Sequence, residues 1–147
     1  MRLIALAAFL LLLGCTEDST GVQGTDLTRT PRDQAQGRFA YTGYAQSGKE
    51  VIRGTLTIAV DDSNVVSGTW DLVLTDTTAS LIGPQVGHGT LVGDVRGEGI
   101  GMNLNPNMVD NNVVLMGRIA VGITGTWQYV GFPGVLNQGT FVAVHAD

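Results

Sequence analysis

Five times in this chain a glycine is followed by threonine and then by a large apolar residue: Gly54-Thr55-Leu56, Gly68-Thr69-Trp70, Gly89-Thr90-Leu91, Gly125-Thr126-Trp127 and Gly139-Thr140-Phe141. In an extended strand, side chains alternate between faces. The glycine and the apolar residue therefore share one face, and the threonine points to the other. A helix would scatter that division, and each glycine would cost it about 1 kcal/mol relative to alanine. Residues 37–147 hold 18 of the chain's 21 glycines. So dense a supply suits turns, bulges and close strand packing, and it predicts an all-β body.

The alternation extends well beyond the repeat. From Val51 to Val60, the residues Ile52, Gly54, Leu56, Ile58 and Val60 take one face, while Arg53, Thr55 and Thr57 take the other. Asp61-Asp62-Ser63-Asn64 then reads as a turn whose side chains bond their own backbone. Val66, Gly68, Trp70, Leu72 and Leu74 line the inner face of the next strand. Further strands are predicted at Gly37–Gln46, His88–Gly97, Glu98–Asn105, Val113–Val121, Ile123–Val130 and Gln138–His145. The Val113–Val121 strand is the most apolar, which suggests burial on both faces or a partner surface. Thr75–Gly87 and Asn105–Asn112 are the two long loops, and they are the natural places for function on a β scaffold. Eight strands in series with short connections predict an antiparallel up-and-down β-barrel, which leaves no exposed edge. A β-sandwich is the alternative. A membrane barrel turned inside out would need paired aromatic girdles, and the strands do not supply them.

The amino terminus has a different character. Met1-Arg2 is followed by an unbroken apolar run of 11 residues, Leu3 to Leu13. A bilayer span needs about 20, whereas a signal-peptide core needs 7–15. The run ends in Leu12-Leu13-Gly14-Cys15, which resembles the lipobox of bacterial lipoproteins. That resemblance implies removal of residues 1–14 and lipidation of Cys15, the chain's single cysteine. It implies a diacylglyceryl thioether, usually with a further N-acyl chain, and two or three acyl chains make a stable anchor. Thr16 rather than aspartate after the cysteine favours the outer membrane in hosts that have one. Residues 15–36 read as the lipidated cysteine and a polar, aperiodic linker, with a possible short helix at Pro31-Arg32-Asp33-Gln34. Residues 37–147 read as the barrel domain.

Gly122-Ile123-Thr124-Gly125-Thr126-Trp127 is similar to the opening strand of the avidin family, and a Gly-x-Trp on a strand is similar to the first-strand signature of lipocalins. Both resemblances imply an eight-stranded barrel that takes a small molecule in its mouth. On that footing Trp70, Trp127, Tyr129 and Phe141 are the candidate ligand-binding residues. Biotin binding is not implied, because the polar residues of such a site cannot be placed on this sequence.

Composition narrows the remaining classes. Lys+Arg is 8 against Asp+Glu 13, for a formal net charge of -5. A chain with that balance and no basic cluster lacks the electrostatic footprint of a nucleic-acid binder. His88 and His145 have no second ligand type at metal spacing. The serines lack a nucleophile elbow. No enzyme activity, cofactor or metal is therefore expected. Two readings of function follow. The first is non-catalytic binding of a small apolar or amphipathic molecule inside a lipid-anchored envelope barrel. The second is an envelope structural or protein-interaction lipoprotein with a filled barrel and no ligand.

Overall fold

The computed structural model describes residues 29–77, 79 and 81–146. A four-residue helix, α1 (Pro31–Gln34), precedes eight strands: β1 (Gly37–Ala45), β2 (Glu50–Val60), β3 (Val65–Leu74), β4 (Gly87–Arg96), β5 (Gly99–Asn103), β6 (Asn111–Ile119), β7 (Gly122–Gly131) and β8 (Gly134–His145). Each strand pairs antiparallel with its chain neighbours, and β8 returns to β1, so the sheet is a closed up-and-down barrel. The sandwich alternative is thereby set aside.

The glycine repeat explains how the wall closes around its core. Between β3 and β4, Gly68 faces Leu91, Thr69 faces Thr90, and Trp70 faces Gly89. Between β7 and β8 the same antiparallel match recurs: Gly125 with Phe141, Thr126 with Thr140, and Trp127 with Gly139. Each indole thus lies over a residue without a side chain. A Cβ on Gly89 would stand 2.7 Å from the Trp70 ring, and one on Gly139 would stand 2.6 Å from Trp127 Nε1. Each indole N–H then crosses to the end of a more distant strand. Trp70 Nε1 donates to the Leu104 carbonyl at 2.7 Å, just past β5, and Trp127 Nε1 donates to the Tyr44 carbonyl at 2.9 Å, near the end of β1. The β3–β4 and β7–β8 hairpins are therefore built alike on opposite sides of the barrel.

The interior is apolar and filled. Phe39, Tyr41, Leu56, Leu72, Leu91, Met102, Leu115, Ile123, Trp127 and Phe141 belong to one buried cluster. Outward positions such as Arg53, Thr57, Ser67, Thr69 and Asp71 are exposed and polar. The outer wall mixes these with exposed apolar residues such as Val73, Val92, Met116 and Val144.

The two ends of the barrel differ. One end carries tight turns at 61–64, 97–98 and 120–121, together with the incoming chain. Asp61 Oδ1 accepts from Ser63 N and Val65 N at 2.8 and 2.9 Å, the self-bonded turn its sequence predicts. Residues 30–36, read from sequence as the last part of the tether, are instead packed onto this end. Thr30 caps α1 by accepting from Asp33 N, and Ala35 is fully buried. His145 Nε2 lies 3.0 Å from the Gln34 carbonyl, and its ring sits 4.2 Å from that of Phe39. The other end carries the short connection 46–49, the two long ones, 75–86 and 104–110, and the tip of the β7–β8 hairpin. β8 pairs with β1 only from Gly139 onward, so this hairpin stands above the rim. Of the two expectations for β6, two-sided burial does not hold: Val113, Leu115 and Ile119 are inward, whereas Met116 is exposed.

Candidate functional site at the loop-bearing end

All four residues singled out from sequence face the barrel's interior or its loop-bearing mouth. Trp127 and Phe141 are fully buried on the neighbouring strands β7 and β8. Phe141 stacks on Tyr41, with ring centroids 5.5 Å apart. Trp70 is buried on β3, across the barrel from β7 in the strand order. Tyr129 is half-buried near the mouth. Gly83 lies against its ring, so close that a Cβ there would fall 2.6 Å from Tyr129 Cδ2. Cys15 lies outside the described residues.

Two polar groups that sequence reasoning passed over belong to the same region. Tyr41 is 1% exposed, and its hydroxyl has no hydrogen-bond partner among the described residues. It lies beside Gly43 and Ile52, in the half of the barrel nearer the long loops. Burial pushes its phenol well above the usual tyrosine range. Gln85, in the 75–86 loop, is fully buried. Its Nε2 donates to the Ile82 carbonyl at 2.6 Å, but its Oε1 is unpartnered among the described residues. Nothing in the sequence marked either residue. Tyr41 reads as one more apolar position in an alternating strand, and Gln85 reads as loop polarity.

The loops are tied to each other by asparagine amides. Asn105 Nδ2 donates to the Pro84 carbonyl at 2.8 Å, and its Oδ1 accepts from Val113 N at 3.1 Å. Asn103 Nδ2 donates to Asn112 Oδ1 at 3.0 Å. Asn112 Nδ2 in turn donates to the carbonyls of Met108 and Val109, at 2.8 and 3.2 Å. The asparagine-rich stretch, legible as turn chemistry, is thus a clamp between two loops.

Around that clamp the rim exposes large apolar side chains. Val109 is 90% exposed at one loop tip, and Phe132 is 89% exposed at the neighbouring hairpin tip. Leu81, Val86, Met108, Val135 and Leu136 are exposed on the same end. Two open clefts, of about 560 and 600 Å³, lie elsewhere on the outer wall. One is lined by Gly101, Met116 and Arg118, and the other by Thr57, Thr69 and Thr90. Among the described residues there is no cluster of three or more metal-ligating side chains.

No protein-family model matches the chain. A comparison with curated proteins also finds no match. The functional reading therefore rests on the molecule's own geometry.

Proposed function

We propose that the protein is a lipid-anchored component of the bacterial envelope, held through an acylated Cys15, and that it works by surface contact through its loop-bearing end without catalysis. The observation that carries this reading is the contrast between lumen and rim. The lumen is occupied by the chain's own aromatic and aliphatic side chains, while the two most exposed large apolar residues, Val109 and Phe132, stand together at one end. Exposed apolar clusters of this kind are characteristic of interaction surfaces. The lipobox-like Leu12-Leu13-Gly14-Cys15 supports the anchor, and Thr16 favours the outer membrane as its site in a host that has one.

A second reading, capture of a small amphipathic molecule in the barrel, draws support from Tyr41 and Gln85. Buried polar atoms are normally paired, so a hydroxyl and an amide oxygen left open near the mouth suit a ligand's polar groups. Trp127, Phe141, Tyr129 and Trp70 would then supply apolar contact.

Native mass spectrometry of the mature protein after exposure to an envelope lipid extract separates the two readings. The contact reading expects either a bare mass or an adduct indifferent to Tyr41→Phe. A discrete adduct that disappears on denaturation and in Tyr41→Phe would establish the interior site instead.

A further inference from the structure

We infer that the apolar rim docks on a lipid bilayer, with Phe132 and Val109 as its inserting tips. The inference rests on the proposal that the loop-bearing end is the working surface, and it names that surface's partner. Three features point to hydrocarbon rather than to another protein.

The first is shape. The two most exposed apolar side chains are on separate, adjacent tips, with Asn111 paired to Gly131 between their bases. Convex, isolated tips suit a fluid phase that closes around them.

The second is charge. Segments 75–86, 104–110 and 131–136 contain no lysine, arginine or histidine, and their only charged residues are Asp76 and Asp110. Asp76 is paired with Lys49 at 2.7 Å. Charge is what a bilayer interior penalises most.

The third is backbone satisfaction. A loop that enters lipid must supply its own hydrogen bonds, because no water is there to do so. The Met108 and Val109 carbonyls are capped by Asn112 Nδ2, and Met108 N donates to the Asn105 carbonyl at 3.0 Å. At the hairpin tip Pro133 has no N–H to satisfy.

The tether permits this contact even though the chain enters at the opposite end. Thirteen residues, 16–28, separate Cys15 from the described chain. Fully extended they reach roughly 45 Å. A ten-residue strand rises about 33 Å, and less when tilted in a barrel. The anchor and the rim can therefore share one membrane, and anchoring holds the rim at high effective concentration beside it. The basic residue at this end, Lys49, is paired with Asp76, so the contact should not depend on anionic lipid.

The test uses the sole-cysteine background. The mature protein carrying Val109→Cys is spin-labelled and combined with phosphatidylcholine vesicles, with Ser63→Cys as the control at the opposite end. The expected result is a label at 109 that becomes accessible to oxygen and shielded from an aqueous relaxant, while the label at 63 stays aqueous. Adding Phe132→Asp, an exposed change that leaves the core untouched, should shift the inserted-to-free ratio at 109 by about tenfold. A label at 109 that stays aqueous with vesicles present overturns the inference. So does one shielded without vesicles in a concentration-dependent way, since that would make a second copy the partner, or one shielded only by an added envelope protein. The mass of the mature N-terminal peptide judges the anchor independently, so loss of the anchor and loss of the docking are told apart.

Discussion

A glycine opposite a tryptophan is a steric contract, and its terms differ at the two places where it occurs. The nearest atoms to a Cβ on Gly89 all belong to the Trp70 ring, whereas a Cβ on Gly139 would also collide with the Tyr44 carbonyl. Backbone cannot be trimmed to make room. Gly139→Ala should therefore destabilise by about 3 kcal/mol, a fall of roughly 10 °C or more in Tm. Gly89→Ala should be partly rescued by Trp70→Leu, with a coupling of about 1 kcal/mol in a double-mutant cycle read by urea unfolding. Tyr41 gives a pH signature. Its phenol is held above the ordinary value of 10.0 by burial. The folded state thus keeps a proton that the unfolded chain gives up. Stability is complete below about pH 10 and declines as pH rises toward the folded-state value. Tyr41→Phe should move the alkaline unfolding midpoint upward. Near neutral pH it should leave stability unchanged or improved by about 1 kcal/mol, because it removes a buried hydroxyl with no partner. A clear loss at neutral pH would mean that the hydroxyl is engaged after all.

Among the elements, β5 is the weak stave. It has five residues and pairs through five positions with β4 and five with β6, where β2 and β3 share nine. Its outward side is Gly99, Gly101 and Asn103, which add little cross-strand packing. Amide exchange should be fastest, among the barrel strands, along β5 and the facing edge of β4. The strands themselves were legible because alternation reports directly which side of a sheet faces the core. Even β5 showed through Ile100, Met102 and Leu104. The short α1 was visible only as a composition, Thr-Pro followed by acid, because four residues are too few to display a helical period. Its attachment to the barrel depends on Ala35 and on His145 from the far end of the chain, a pairing no local pattern can encode. The rim was illegible for a related reason. Phe132 and Val109 are isolated in turns, and only the pairing of β6 with β7 brings them side by side. The match of Trp70 to Gly89 and Trp127 to Gly139 likewise needed the register, although the repeat that produces it stood in plain view.

For the whole molecule, the arrangement is a closed apolar-filled barrel whose incoming chain and apolar rim lie at opposite ends. If Cys15 is the anchor, cells given an alkyne-tagged fatty acid will label the native chain and not Cys15→Ser, read by in-gel fluorescence. The barrel's stability should be independent of that lipid, because no described core residue lies before Ala35.

The seam between β1 and β8 adds a constraint in time. These are the first and last strands of the chain, and they join through seven paired positions from Phe39–His145 to Ala45–Gly139. A ribosome releases β1 long before it has made β8. Until β8 arrives, one edge of β1 is unpaired, and the Tyr44 carbonyl has already waited for a tryptophan 83 positions later, on β7. No product lacking β8 can close the wall, so the growing polypeptide stays open until β8 is made. If the chain is exported as proposed, that delay keeps it open for a narrow secretion channel, and the order of its strands supplies it.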